Sequence, residues 1–308
     1  MSTQSQSAPP TSVVAVTGAT GLIGSALVDQ LRASGSRVRR LVRSARAGAD
    51  DVQWDPMRGV LAPDALEGVD AIVHLAGENL AQRWTAERKR AILESRVRST
   101  ELLARTIARM TRKPRVMVSG AAVGFYGDRG DEMLDEDSTS GTDFLAGVVR
   151  EWEGATRGAA DAGVRVVRIR TGVVLSPKGG ALERLLLPFR LGVGGPIGSG
   201  RQWMSWISLH DHVRAMMHAI ATDGLAGPVN LVSPNPVTNA EFAATLGRVL
   251  SRPAIVPLPS FALELVYGEM ARATILSGQR VQPKALLKSG FVFELPTLEE
   301  ALRFELKD

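Results

Sequence analysis

Val13-Val-Ala-Val-Thr-Gly-Ala-Thr-Gly-Leu-Ile-Gly24 is the stretch on which the fold turns. A β-branched run ends at Thr17-Gly18, and Gly21 and Gly24 follow at three-residue steps. The pattern predicts a strand, a tight turn and the first turn of a helix, which together make a seat for a pyrophosphate. Gly18 permits the tight turn, Gly21 lets the backbone approach the phosphates, and Gly24 lets the helix lie close to the strand. Unpaired N–H groups and the positive end of the helix dipole then face the anion. A glycine-rich turn without this context means little; here the strand precedes it and the helix follows.

Outward from that turn, strands and helices alternate. Residues 13–17, 37–42, 71–75, 116–119 and 164–168 read as strands, 71–75 a buried apolar one, and 22–33, 85–110 and 144–162 as helices. Repeated β-α-β units with apolar strands imply a parallel sheet covered on both faces, doubly wound, with its ligand crevice at the strand C-termini. After Arg170 the texture changes. Residues 191–200 read as a glycine-rich loop, 206–209 as a short strand, 212–221 as a helix capped by Asp211, and 229–232, 239–250 and 254–257 as a smaller α/β unit. The expected organisation is a dinucleotide-binding domain over 12–175, with 205–235 available to complete its sheet. A smaller substrate-side and C-terminal region then covers 176–308, its last part (259–306) helical and compact.

Composition narrows the function classes. The 308 residues suffice for one large or two modest domains. With no cysteine, a disulfide framework and a thiolate zinc site are both excluded. No apolar run reaches the roughly 20 residues of a membrane span. Residues 1–11, rich in Ser, Gln and Pro, read as a disordered tail without the basic start and apolar core of a signal peptide. A cytoplasmic protein without a membrane partner is expected. The net charge of +5 resides partly in Arg88-Lys89-Arg90, Arg96, Arg98 and Arg105. Glu87, Glu94 and Glu101 are interleaved and no aromatic platform accompanies them, so the stretch reads as a solvated helix face, not a nucleic-acid surface. A homodimer is compatible with the sequence, which leaves the oligomeric state open.

The end of the second strand selects the dinucleotide. A carboxylate there accepts hydrogen bonds from the ribose of NAD, whereas the extra phosphate of NADP needs positive charge. Arg43 stands about 20 residues beyond the last motif glycine, where the fingerprint places that selector. No carboxylate occupies the strand end, and Arg46 follows nearby. A guanidinium donates two parallel hydrogen bonds to a phosphate, so NADP(H) is expected in preference to NAD(H).

Thr17-Gly-Ala-Thr-Gly-Leu-Ile-Gly24, Asp70-Ala-Ile-Val-His-Leu-Ala-Gly77 and Ser119-Gly-Ala-Ala-Val-Gly-Phe-Tyr-Gly127 resemble the extended short-chain dehydrogenases/reductases. That group includes the NAD(P)-dependent sugar-nucleotide epimerases and dehydratases. Arg83-Trp84, Ser95-Arg-Val, Trp152-Glu153, Arg170-Thr-Gly-Val-Val-Leu175 and Ser205-Trp-Ile207 narrow the likeness to an atypical branch of epimerase family proteins. Gly268-Glu-Met-Ala271, Gly278-Gln-Arg-Val-Gln-Pro283 and Gly290-Phe-Val-Phe293 resemble that branch's small C-terminal domain of unknown function. The resemblance implies a Rossmann fold. It implies cofactor contacts from Gly18, Thr20, Gly21, Leu22, Ile23, Arg43, Leu75, Ala76, Gly77 and Ser119, with Thr171, Gly172 and Val173 near the nicotinamide.

Two departures put the family's usual chemistry in doubt. Its members use a Tyr-x-x-x-Lys pair, the Tyr as general acid/base and the Lys lowering its pKa. Here the matching helix reads Phe144-Leu-Ala-Gly-Val148, and the hydroxyl position falls on Ala121 or Ala122. Tyr126 and Ser119 are the remaining nearby hydroxyls and are taken as the catalytic candidates. Sugar-nucleotide epimerases also place an arginine on the substrate diphosphate where this chain has Met204-Ser205. Arg201 and Gln202 are close and, with Glu136 of the acidic loop, form the expected substrate side. His210-Asp-His212 does not make a metal site, because residues two apart point to different faces. His74, inside an apolar strand, reads as a core or site-wall histidine. The sequence thus points to an NADP(H)-binding oxidoreductase- or epimerase-like protein acting on a small molecule. A cofactor-responsive binding or regulatory protein is the alternative, and an ordinary sugar-nucleotide epimerase is disfavoured.

Overall fold

A computed structural model describes residues 12–43 and 50–307. The N-terminal tail and Arg46 lie outside the described residues. Along the chain, β1 (Val13–Thr17) leads through the glycine turn into α1 (Leu22–Ala33), then β2 (Arg37–Val42), β3 (Asp51–Gln53) and β4 (Ala71–His74). The long α2 (Ala86–Arg109) precedes β5 (Val116–Ala122), β6 (Met133–Leu134), α3 (Phe144–Gly154), α4 (Arg157–Asp161) and β7 (Arg165–Thr171). Next come β8 (Val173–Leu175), α5 (Gly180–Arg190), β9 (Trp203–Met204), β10 (Trp206–Ser208), α6 (Leu209–Ala221) and β11 (Gly227–Leu231). The C-terminal part adds β12 (Val237–Thr238), α7 (Asn239–Leu250), α8 (Ser260–Tyr267), a π-helical turn at Ala271–Ile275, β13 (Arg280–Val281), α9 (Lys284–Lys288) and α10 (Leu298–Glu305).

Seven strands pair in the order β11-β7-β5-β4-β1-β2-β3, all of them parallel. This is the doubly wound Rossmann sheet expected from the alternating pattern. The strand alternation sorts the two faces. Val14, Val16, Val73 and Val118 pack with Leu27 and Met216 on one side; Ala15, Ile72 and Met117 pack with Leu103 and Ile107 on the other. β11 forms one edge of the sheet, beyond residue 175, and Pro228 sits within it. Three two-stranded pairs complete the architecture. β10 joins β8, β9 joins β12, and β13 of the C-terminal part joins β6 of the acidic loop.

Local expectations change where backbone chemistry intervenes. The helix expected over 144–162 breaks after Gly154, where the N–H and hydroxyl of Thr156 both donate to the Glu153 carbonyl and tighten the turn. Residues 254–257 form no strand, because Pro253, Pro257 and Pro259 remove donors and only an Ile197–Leu258 bridge remains. Asp211 is not the cap of α6. Ser208 accepts the Asp211 N–H, and the buried Asp211 carboxylate instead accepts the N–H groups of Glu294 (3.1 Å) and Leu295 (2.9 Å) and an Arg214 guanidinium N–H, holding the C-terminal part to the helix.

Two histidines make stability pH-dependent. His74 and His212 are fully buried, and burial pushes each imidazole down to about 3, with Arg96 contributing for His74. The unfolded chain takes up protons near pH 6.5 that the folded chain refuses. Stability is therefore complete above that pH and falls as the pH drops toward about 3, by about 1.4 kcal/mol per pH unit for each histidine. Urea unfolding at pH 7, 6, 5 and 4.5 should show the loss beginning near pH 6; a flat profile would mean that the folded imidazoles accept protons freely.

Candidate functional site

The carboxyl ends of β2 and β4 flank that of β1 at the glycine turn. Gly18 has φ +66°, and a Cβ on it would lie 2.9 Å from the Leu75 carbonyl, so the turns after β1 and β4 nearly touch. A Cβ at Gly24 would collide with the Gly18 carbonyl, which explains the close approach of α1 to its strand. Gly21 differs. It is exposed, its φ is −78°, and a Cβ there would meet only the Gly18 oxygen, at 3.4 Å. Packing therefore does not demand glycine at this position.

The same turn leaves donors without partners. Gly21 is the N-cap of α1 and offers no side-chain cap, and the first turn carries no acidic residue. The N–H groups of Leu22 and Ile23 find no acceptor among the described residues. Thr20 and Gly21 are exposed beside them. Orphan donors at a positive helix end, above a glycine that packing does not require, fit the phosphates of a dinucleotide.

A buried polar floor fixes this geometry. Thr17 Oγ1 accepts the N–H groups of Leu75 (3.0 Å) and Ala76 (3.2 Å) and lies 2.7 Å from His74 Nδ1. Because His74 is neutral, the hydroxyl donates to Nδ1, and Nε2 then carries the proton toward Ser99 Oγ at 3.0 Å. His74 is thus a satisfied core residue that locks the two turns together. Behind Gly77 lies Arg96. The solvated-face reading of the basic helix is corrected for this residue, which is 8% exposed. Its guanidinium donates to the carbonyls of Ile92 (3.1 Å) and Glu78 (3.0 Å) and stacks over Trp152 at 5.1 Å. Burial lowers its pKa to about 10.

Arg43 is exposed directly after β2, with no ion-pair partner among the described residues. Thr171, Gly172 and Val173 end β7 and begin β8, part-exposed, with the Val173 N–H donating to the Ser205 carbonyl at 2.8 Å. Thr171 Oγ1 lies 3.1 Å from His212 Nε2.

The expected catalytic hydroxyls sit elsewhere than in a crevice. Tyr126 is completely buried. Its hydroxyl donates to Asn230 Oδ1 at 2.7 Å and accepts from Arg170 at 3.0 Å. Burial pushes its pKa up to about 12 against the opposing effect of Arg170. Arg170 in turn forms a bidentate pair with Glu153 (2.7 and 3.0 Å) and stacks over Phe125 at 3.4 Å. Ser119 is also buried, its hydroxyl turned toward the Gly120 carbonyl at 3.4 Å. Neither hydroxyl is open to solvent, whereas a proton donor needs access to the reacting atom.

At the usual tyrosine position, Phe144 packs edge-on to Trp84 (5.2 Å), with Lys89 Nζ 4.9 Å above its ring. Val148 is buried with Trp84, Ile92 and Met270. Lys89 pairs with Glu269 at 2.5 Å. On the substrate side, Glu136 Oε1 accepts the N–H groups of Asn230 (2.8 Å) and Ala285 (3.2 Å), so this carboxylate ties the acidic loop to β11 and α9. Its pKa is raised by burial. Gln202 is spent on the Ile197 and Ile275 carbonyls, while the Arg201 side chain is exposed and has no partner among the described residues. Sequence reading missed the inward turn of Arg96, the Glu153–Arg170 pairing and the unpaired state of Arg280, although Arg96 falls on the buried stripe of Ile92, Ser99 and Leu103.

Comparison with known proteins agrees with this geometry. Residues 14–231 match the NAD dependent epimerase/dehydratase family, and residues 258–305 match a domain of unknown function, DUF1731. An epimerase family protein of Mycobacterium bovis is 47% identical over 293 residues, covering 95% of this chain and 97% of that protein. The crystal structure of the human epimerase family protein SDR39U1 with NADPH superposes with a TM-score of 0.87 at 38% identity, covering 95% of this chain and 98% of that one. A structure described as a nucleoside-diphosphate sugar epimerase from Corynebacterium glutamicum gives a TM-score of 0.80 at 41% identity, over 96% of this chain and 58% of that one. Among the described residues, no helix is long and apolar enough to cross a membrane. With the glycine turn, the seven-stranded sheet and these matches in hand, the chain belongs to the NAD dependent epimerase/dehydratase family.

Proposed function

We propose that this protein binds NADP(H) and acts as an oxidoreductase- or epimerase-like enzyme on a small molecule without a Tyr-x-x-x-Lys pair. The observation that carries the reading is the α1 N-terminus, where unpaired Leu22 and Ile23 N–H groups stand over an exposed Gly21 that packing does not require. The NADPH in the human relative's crystal structure supports it. The pyrophosphate would lie on that turn, the adenosine 2′-phosphate against Arg43, and the nicotinamide end beside Thr171, Gly172 and Val173. When bound, the nicotinamide supplies hydride exchange. The chain orients it through the Thr17–His74–Ser99 floor. With Tyr126 and Ser119 buried, the proton of such a reaction comes from water or from the substrate.

Phe144 and Val148 favour a second reading, an NADP(H)-responsive binding protein, because an apolar cluster occupies the place of the usual acid/base. Calorimetry tests the shared part. Arg43→Ala should weaken NADPH binding about tenfold while leaving NADH binding unchanged, since only the 2′-phosphate contact is lost. Tighter binding of NADH than NADPH by the unmodified protein would sink the role of Arg43. Loss of NADPH absorbance with a panel of carbonyl compounds separates the enzyme from the responsive protein.

A further inference from the structure

Arg280 in β13 is a cation without a counter-charge among the described residues. Its guanidinium stacks over the Trp203 ring at 4.2 Å. Its Nε is buried and has no hydrogen-bond partner, and no carboxylate among the described residues lies within ion-pair distance. Asp131, the carboxylate that contacts the same ring, is engaged differently: it accepts the Trp203 indole N–H at 2.7 Å. Asp131 therefore fixes the ring on which the guanidinium rests and leaves the guanidinium itself unpaired. Arginine side chains held in place by stacking, with free N–H groups, match planar bidentate acceptors.

The position of Arg280 is set by the same elements that end at the nicotinamide side. Ser205 offers its carbonyl to the Val173 N–H, and its hydroxyl both donates to the Gln279 carbonyl (2.6 Å) and accepts the Val281 N–H (2.9 Å). One serine thus joins the Gly172–Val173 turn to the residues on either side of Arg280. A Cβ on Gly278 would collide with the Trp203 backbone, so the segment carrying Arg280 is pressed against the residue on which it stacks. β13 is further held by its pairing with β6, Arg280 opposite Met133. The arginine is built in from three segments.

We propose that Arg280, seated on Trp203, is the anion-recognition residue for the substrate, and that the substrate carries a phosphoryl or carboxylate group. The inference rests on the NADP(H)-site reading above, because that reading places the reacting end of the cofactor beside Gly172 and Val173. It assigns the C-terminal module a share in substrate selection. The anion is held by the planar fork of Arg280, while Trp203 keeps the fork oriented and dry on one face.

Inorganic pyrophosphate and malonate serve as probes for the two anion chemistries. Each is titrated calorimetrically into NADP⁺-saturated protein, with the arginine Nε–H resonances followed by NMR at constant ionic strength. At least one probe should bind and shift the Arg280 Nε–H signal, identified by its absence in Arg280→Met. That variant should bind the probe about tenfold or more weakly, at unchanged melting temperature and unchanged NADPH affinity. Arg280→Lys, which keeps charge without the fork, should fall between the two. Which probe binds separates a phosphorylated from a carboxylated substrate. Equal binding by Arg280→Met and the unmodified protein, or no binding of either probe to the unmodified protein, would overturn the proposal. The difference between variant and unmodified protein isolates this site from the glycine turn, so a failure of NADPH binding is a separate result.

Discussion

Gly21→Ala is expected to leave the fold intact and to weaken NADPH binding by tenfold or more. The new methyl group would meet only the Gly18 carbonyl oxygen, at 3.4 Å, and the glycine's φ of −78° is open to alanine. The loss of an N-cap preference costs under about 1 kcal/mol. The methyl group, however, adds bulk at the N-cap beside the orphan Leu22 and Ile23 N–H groups, where a phosphate would have to approach. Gly24→Ala should behave in the opposite manner. Its Cβ collides with the Gly18 carbonyl, so α1 must move off the sheet and stability falls along with binding. Melting temperature and NADPH calorimetry on the two variants check both halves. A Gly21→Ala protein that binds NADPH as well as the unmodified chain would remove the glycine turn from the site.

Arg170→Met should be the most damaging single change away from that turn. It strands the Glu153 carboxylate, which is 7% exposed, without its bidentate partner, and takes one hydrogen bond from the buried Tyr126 hydroxyl. Removing one member of a buried ion pair costs about 3–5 kcal/mol because the remaining charge is left uncompensated. Arg170→Met combined with Glu153→Leu should recover much of the loss, since the interior then contains no unpaired charge. Equilibrium unfolding in urea measures both. A single variant within about 1 kcal/mol of the unmodified protein would contradict this account. Tyr126→Phe, which removes only the hydroxyl, should be far milder and should not abolish turnover.

Local pattern made the sheet and its first turn legible. β-Branched runs and three-residue glycine spacing are properties of neighbours in sequence, and they placed β1, α1, β2, β4 and β7 close to where they lie. The polar contacts depend on neighbours distant along the chain. Tyr126 meets Asn230 across 104 residues, and His74 meets Thr17 across 57. No periodicity in either segment announces the other. Arg96 was hidden by its company, since the acidic and basic residues around it are solvated while it turns inward onto Trp152. Arg280 was hidden more deeply, because its meaning lies in a partner that is missing among the described residues, and no sequence pattern marks an unpaired cation.

The outer strand of the sheet also bears on how the molecule behaves in a crowd. An exposed parallel edge normally offers a ladder of free donors to any passing chain, a route to aggregation. On β11 the donors at alternate positions are closed off in two ways. Pro228 has no N–H, and the N–H of Asn230 is occupied by the Glu136 carboxylate reaching in from the acidic loop. The same glutamate that resembled a substrate contact in the sequence therefore acts as a stopper, ending the sheet at its seventh strand and denying a template to the growth of fibrous assemblies.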